Sequence, residues 1–213
     1  MVAMAVSALC TTVASWGALL TIDNPSFEAD PLPNGIEQSS VTDWLTTGDA
    51  GVRDPSSSDY GVVNPPFGEN IAFAKIGAGP TTASLEQTLT DTLQGYAIYT
   101  LSVNVGDRIP TSPLLPAFSA SLYAGATLLG STSTPPPANS GFTNVVVTFG
   151  TLATHPALGQ PLRIVLSADS GAEGAVVDFD LVTLDYLNLN NPEPSTVALL
   201  LLGGAILARR FRK

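Results

Sequence analysis

Short runs of alternating apolar and polar residues, separated by turn residues, constrain the fold of this chain more than any other feature. The run at 96–105 places Ala97, Leu101 and Val105 on one face and Thr100 on the other, as in a half-buried strand. No heptad repeat and no long stretch of helical period is present, so no crossover helix is predicted. Similar runs occur at 70–76, 84–89, 119–124, 142–149, 162–168 and 175–184. Together they predict an all-β chain, an antiparallel sandwich of two sheets around one core.

The charge and the rare residues exclude several functional classes. The formal net charge is −10, which argues against nucleic acid as a partner, because phosphate binding needs clustered cations. Cys10 is the only cysteine, so neither an intramolecular disulfide nor a Cys-based zinc site is predicted. His155 is the only histidine, and any Ser-His-Asp triad would depend on it.

The chain divides into three predicted segments. Residues 1–19 are apolar and rich in small side chains, like a secretory signal, although no Lys or Arg precedes the apolar stretch. Residues 20–189 form the β-sandwich body. Residues 190–213 contain an uncharged run at 197–208, which predicts a short hydrophobic helix, followed by four cations in the last five positions. At twelve residues this helix is a minimal or transient membrane span.

The C-terminal segment resembles the PEP-CTERM sorting signal of Gram-negative bacteria. The resemblance is carried by Pro192, Glu193 and Pro194, the hydrophobic run and the Arg-rich end. It implies recognition by the membrane enzyme exosortase and transient residence in the inner membrane. Cell-surface or extracellular localisation, with exopolysaccharide as a further candidate partner, would follow.

The body resembles the carbohydrate-binding-module-like, galactose-binding-type jelly roll, and within that group the calcium-dependent Stig cyclases. The closer resemblance rests on the run from Asp54 to Tyr60, on Pro-Phe-Gly-Glu-Asn at 66–70, Leu-Glu-Gln-Thr-Leu at 85–89 and Val-Asp-Phe-Asp at 177–180. It implies a jelly-roll sandwich. It also implies that an acidic residue in a binding cavity donates the proton that starts a cyclisation, a role not assigned here to a particular position.

The predicted metal ligands are Glu28, Asp178 and Asp180. In the resembled fold the first and last strands are neighbours, so these carboxylates would converge on a structural calcium ion, which prefers six to eight hard oxygen ligands. The alternative is that Asp178 and Asp180 are ordinary outward-facing strand residues. Tyr60 and Trp44 are the predicted ligand-binding aromatics, with Tyr60 expected to be exposed and Trp44 alternatively a core residue.

These observations favour an exported, exosortase-sorted surface or matrix protein whose single jelly roll binds calcium and glycan or matrix. They favour a protein without enzyme activity. Two alternatives stay open: a calcium-dependent, small-molecule cyclase-like enzyme on the same fold, and a purely structural protein associated with exopolysaccharide.

Overall fold

The computed structural model describes residues 17–60, 65–78, 82–108, 115–133 and 141–189. Within these ranges the chain forms strands and one short helix. The elements are β1 (Ala18–Leu19), β2 (Glu37–Gln38), β3 (Leu45–Thr47), β4 (Asp49–Arg53), α1 (Ser57–Tyr60), β5 (Ile71–Lys75), β6 (Ala83–Thr92), β7 (Ala97–Asp107), β8 (Ala117–Ala124), β9 (Thr127–Thr132), β10 (Gly141–Gly150), β11 (Pro161–Ser170) and β12 (Val176–Asn188).

The strands form two antiparallel sheets that pack face to face. The seven-stranded sheet has the order β10-β7-β12-β5-β4-β2, with β1 pairing with the far end of β12. The five-stranded sheet has the order β3-β6-β11-β8-β9. The predicted all-β, antiparallel jelly-roll sandwich is therefore confirmed.

The core lies between the sheets and is built by alternation along each strand. In β7, Tyr99, Leu101 and Val103 are fully buried, while the residues between them point to the outer face and are half-buried. In β11, Leu162 and Ile164 are buried in the same way. Removing these side chains from water is the main favourable contribution to folding.

Strand β12 is the centre of the larger sheet. It pairs with β7 along most of its length, with β5 at its first half and with β1 near its end. A bulge interrupts its pairing with β7 between Asp180 and Thr183, and Leu181 there has a φ of 47°. The extra residue shifts the alternation of side-chain direction by one position. Phe179 before the bulge and Val182 after it therefore both face the core.

One buried amide fixes the irregular segment that precedes β3. Gln87 occupies a core-facing position of β6 and is 6% exposed. Its Oε1 accepts a hydrogen bond from the Asp23 amide at 3.0 Å, and its Nε2 donates to the carbonyls of Asp23 at 2.8 Å and Asp43 at 3.0 Å. The side chain thereby satisfies backbone groups of Asp23 and Asp43, which lie outside the strands.

Several short elements do not follow from the alternation pattern. β4 contains Gly51, where an added Cβ would lie 1.9 Å from the Gln38 carbonyl oxygen, so close strand approach selects glycine there. β9 contains Gly130 and is largely solvent-exposed. Neither strand has the apolar face that identifies a strand in sequence.

The two terminal segments lie largely outside the described residues. Both the predicted helix at 197–208 and residues 1–16 of the signal-like segment fall there. Among the residues that the structure describes, no helix is long and apolar enough to cross a membrane.

We expect Gln87→Leu to lower the free energy of unfolding by about 1–3 kcal/mol, because it leaves part-buried backbone groups of Asp23 and Asp43 without their side-chain partner. Urea denaturation measures this change. Thr88→Val, at the exposed neighbouring position of the same strand, is the control and should change stability by less than about 0.5 kcal/mol. Equal stability of the two variants would contradict the anchoring role of Gln87.

Candidate active site

Two carboxylates of β12 project from the outer face of the larger sheet, yet neither reaches solvent. Asp178 and Asp180 are both 0% exposed. They alternate with core-facing Val177 and Phe179, as the sequence pattern predicts. The Tyr60 hydroxyl and the Phe67 amide contact the two carboxylates from outside the sheet. The outer face is therefore an interior site at this point, not a solvated surface.

Asp178 is bound by an arginine and a tyrosine. Arg108 donates from Nε to Oδ2 at 2.7 Å and from a terminal nitrogen to Oδ1 at 2.8 Å, which makes the ion pair bidentate. The Tyr60 hydroxyl donates to the same Oδ2. Both carboxylate oxygens are thus held by donors, and the Arg108 side chain is itself only 14% exposed.

Aromatic packing and a glycine hold Tyr60 in place. Its ring lies 5.0 Å from the Phe142 ring, measured between centroids, and its exposed fraction is 2%. An added Cβ at Gly106 would come within 2.8 Å of the Tyr60 hydroxyl oxygen and 2.7 Å of the Phe142 ring. Gly106 therefore provides the space in which the tyrosine meets Asp178.

The environment shifts the pKa values of both Tyr60 and Arg108. Burial, and next the Asp178 charge, raise the pKa of Tyr60 well above its ordinary value, although Arg108 opposes this. Burial tends to lower the pKa of Arg108, but the adjacent Asp178 carboxylate raises it by more. The tyrosine accordingly remains a neutral hydrogen-bond donor and the guanidinium remains charged.

Asp180 lies in a different environment, beside Glu28. Its Oδ2 accepts from the Phe67 amide at 2.9 Å and its Oδ1 from the Leu181 amide at 2.6 Å. Glu28 Oε1 accepts from the amides of Glu69 at 3.0 Å and Asn70 at 2.7 Å. Three segments of the chain, around 28, 67–70 and 180, therefore meet at two carboxylates.

Burial raises the pKa of Asp180 to about 7. The amides of Phe67 and Leu181 act against this shift, and the negative charge of Glu28 adds to it. A carboxylate that is buried and repelled by a second carboxylate gains from a cation placed between them.

The backbone next to these two carboxylates is in the left-handed region at three points. Phe27 has a φ of 63°, Leu181 a φ of 47° and Gly68 a φ of 67°. An added Cβ at Gly68 would overlap the Glu28 carboxyl group at 2.3 Å. Non-glycine residues adopt this conformation only where the surrounding structure imposes it, so the local fold sets the positions of both carboxylates.

The carboxylate oxygens of Glu28 and Asp180 are of the chemical type that calcium prefers. Both groups are hard carboxylate oxygens, and calcium completes its coordination with backbone carbonyls and water. Among the described residues, no three or more acidic, His or Cys side chains gather around one point. A metal at this place would therefore take its remaining ligands from the main chain or from water.

The structure separates the predicted metal ligands into two groups. Glu28 and Asp180 both accept from backbone amides of the 67–70 stretch, whereas Asp178 is paired with the positive charge of Arg108 and accepts from Tyr60. Glu28 lies in a turn rather than at the end of a strand.

The two predicted ligand-binding aromatics are not exposed. Tyr60 was expected in an open loop, but it is buried against Asp178 because the end of α1 folds over the sheet. Trp44 is 5% exposed, lies 5.5 Å from the Phe27 ring and donates from Nε1 to the Asn24 carbonyl at 3.1 Å. Trp44 is therefore the core residue of the stated alternative.

Arg108, Gly106 and Phe142 are site residues that sequence reasoning missed. Arg108 carried one usable signal, because it is one of only four basic residues between 21 and 191. A rare cation in an acidic body is a candidate partner for a buried acid. Gly106 and Phe142 carried no signal of this kind.

Comparison with known proteins identifies relatives for the body of the chain. The family model described as HpiC1-like, HpiC1 cyclase, matches residues 18–185. No curated protein sequence matches the chain.

Solved structures of cyclases from Fischerella share the fold. An apo form cyclase from Fischerella sp. is 28% identical, with a TM-score of 0.71, covering 83% of this chain and 97% of that one. The Stig cyclase Fisc from Fischerella sp. TAU, in complex with (3Z)-3-(1-methyl-2-pyrrolidinylidene)-3H-indole, is 28% identical, with a TM-score of 0.70, covering 80% and 98%. A cyclase from Fischerella sp. TAU in complex with 4-(1H-indol-3-yl)butan-2-one is 28% identical, with a TM-score of 0.70, covering 82% and 100%.

These relatives correct the leading functional prediction. The expectations of a glycan- or matrix-binding module and of a protein without enzyme activity are wrong, because the family and the similar structures are cyclases. The description as a membrane-associated, carbohydrate-binding-like protein is likewise unsupported. The stated alternative, a cyclase-like enzyme, agrees with the relatives, as does the resemblance of the body to the Stig cyclases. Since the matched region spans most of the chain, the protein belongs to the HpiC1-like cyclase family.

Proposed function

We propose that this protein is a small-molecule cyclase whose substrate carries an indole or a similar aromatic ring, and that calcium stabilises its fold. Support for the substrate class comes from two of the similar cyclases, which are solved with indole compounds. Support for the reaction comes from the buried group of Tyr60, Asp178 and Arg108, which lies within the matched region.

The observation that carries the proposal is the burial of Asp178 beneath Tyr60, with two fixed donors on its carboxylate. A substrate that takes the place of the Tyr60 hydroxyl on Oδ2 would meet this carboxyl group, which could then donate a proton to it and interact with a developing cation away from bulk water. Asp178 is preferred to Asp180 for this role. Tyr60 and Phe142 pack next to Asp178, whereas Asp180 faces backbone amides and Glu28.

Arg108 and Tyr60 favour the proton transfer because they stabilise the carboxylate that remains on Asp178. This step requires that Asp178 carry a proton before transfer; once the proton has passed to the substrate, the carboxylate that forms gains the bidentate ion pair and the tyrosine hydrogen bond. These bonds stabilise the charge that develops as the proton leaves. After ring closure the same carboxylate takes a proton from the cationic product, so the reaction consumes no net proton.

Glu28 and Asp180 would hold the calcium ion. A bound calcium supplies positive charge that offsets the repulsion of the two carboxylates and ties three segments together. One of them, at 67–70, follows the segment that carries Tyr60. The ion therefore has a structural role close to the reacting group.

Sorting by exosortase and surface localisation stay predictions from the sequence, because 190–213 lies outside the described residues. Mass spectrometry of the mature protein tests them. Removal of the chain after the Pro192–Pro194 region is the expected result, and an intact C-terminus on the mature surface protein would contradict it.

For the activity, we expect Asp178→Asn to reduce turnover of an indole substrate by roughly 10²–10⁴-fold, because general acid catalysis contributes about this much. Turnover is measured by mass spectrometry of the cyclised product. Asp185→Asn, on the same strand, is the matched control and should keep wild-type turnover.

Arg108→Lys keeps the charge but loses the bidentate geometry, so it should lower kcat more than it raises KM. If Asp178→Asn, folded by circular dichroism, turns over at the wild-type rate, the assignment of Asp178 is wrong.

For calcium, we expect wild-type protein to melt at a lower temperature in chelator than in calcium, since a ligand that binds only the folded state stabilises it. Asp180→Asn should abolish this difference. An identical melting temperature of wild type under both conditions would contradict the calcium site.

The raised pKa of Asp180 predicts a pH dependence in chelator. The folded-state pKa of about 7 exceeds the ordinary value of 3.8, so the folded state binds this proton more tightly than the unfolded state does. The stability that this tighter proton binding contributes is fully present below about pH 3.8 and is lost as pH rises through about 7. Asp180→Asn should flatten this part of a melting-temperature-against-pH curve, and Asp185→Asn should leave it unchanged.

A further inference from the structure

A cavity lies at the opposite end of the sandwich from the Asp178 site. Its volume is about 340 Å³, within the size range of small-molecule pockets. It opens where β6 ends and β7 begins, and its lining includes Leu20, Asp91, Gln94, Tyr99 and Tyr186. Along β7, Tyr99 is seven residues from Gly106, or about 23 Å by strand geometry, so the two sites are separate.

The half-buried ring of Tyr186 provides the aromatic wall of this cavity, and the ring of Tyr99 packs behind it. Tyr99 is fully buried, and its ring lies 5.3 Å from the ring of half-buried Tyr186, measured between centroids. The Gln94 amide donates to the Tyr99 hydroxyl oxygen at 2.8 Å. The wall is therefore held in position by packing and by a hydrogen bond to the backbone.

Asp91 supplies a negative charge at the same cavity. It is half-buried at the end of β6, and its charge contributes, after burial and Tyr186, to a raised pKa of Tyr99, which the Gln94 amide opposes. The carboxylate is therefore close enough to the tyrosine to act on it. The cavity combines a carboxylate with aromatic faces.

No cation of the described part of the chain forms an ion pair with Asp91. Each basic residue there is bound to another carboxylate: Arg53 to Glu37 and Asp59, Lys75 to Asp49, Arg108 to Asp178, and Arg163 to Glu86. The negative charge at the cavity is thus without a counter-charge from these residues.

We propose that this cavity binds a small organic cation, a protonated amine on a compact apolar body, with Asp91 pairing the ammonium group and the Tyr186 ring contacting the rest. An ammonium group favours both a carboxylate and the face of an aromatic ring. A neutral ligand of the same shape would gain the apolar contact but not the charge interaction. The site is independent of the proposed cyclase reaction.

The test measures binding of phenethylammonium to the full-length protein by calorimetry at low salt, with 2-phenylethanol as the neutral probe of the same shape. We expect the amine to bind roughly tenfold or more tightly than the alcohol, which is about 1.4 kcal/mol. Asp91→Asn keeps the shape of the side chain and removes its charge. This variant should bind the amine more weakly by a similar factor and should bind the alcohol with unchanged affinity.

Two variants locate the binding. Asp185→Asn removes a charge of the same sign next to Tyr186 in the chain and controls for attraction by the acidic protein as a whole. Asp178→Asn tests the other site. Both should bind the amine as wild type does, whether or not Asp178→Asn retains cyclase activity.

Equal binding of amine and alcohol, undiminished binding to Asp91→Asn, or loss of binding in an Asp178→Asn variant that is folded by circular dichroism would each overturn the proposal. So would absence of amine binding to the wild-type protein. None of these outcomes bears on cyclase turnover, so failure here and failure of the proposed function are distinguishable.

Discussion

The burial of two carboxylates on the central strand is the constraint on which the rest of the site depends. An isolated charge in a protein interior is strongly unfavourable unless it is paired and hydrogen-bonded. Asp178 is compensated by Arg108 and Tyr60, and Asp180 by two backbone amides. Removing one member of a buried ion pair typically costs about 3–5 kcal/mol, so the segments that carry the partners are held against β12.

The two carboxylates are compensated by different means, and this difference divides their roles. Asp178 has a full counter-charge and an aromatic neighbour, and it is the residue proposed above to act on the substrate. Asp180 has only dipoles, and Glu28 beside it adds charge of the same sign. The left-handed backbone at Phe27 and Leu181 keeps that second pair together, and strained conformations of this kind are maintained where the surrounding structure requires them.

The sandwich itself is compatible with many functions, and the distinction between them comes from the site. A glycan-binding face would present aromatic rings to solvent, but Trp44 and Tyr60 are both buried. Their burial removes the two predicted ligand-binding aromatics from the surface on which a glycan would be bound. The aromatic and acidic groups at the other end of the sandwich line a cavity that the sheet pattern alone does not reveal.

Alternation in the amino-acid sequence was enough to predict the long strands and their core-facing sides, but not the short strands such as β4 and β9. Alternation predicted β7 as 96–105, against the observed Ala97–Asp107, and placed Asp178 and Asp180 on the outer face of β12, because side-chain direction repeats every two residues. Only the tertiary structure decided that this outer face is buried. The partners of Asp178 are 70 residues away at Arg108 and 118 away at Tyr60, and a local pattern carries no information about a segment that distant in the chain. The same reason explains why Trp44 and Tyr60 could be named as aromatics of interest while their burial could not: exposure depends on what packs above a residue, which the chain settles only when it folds.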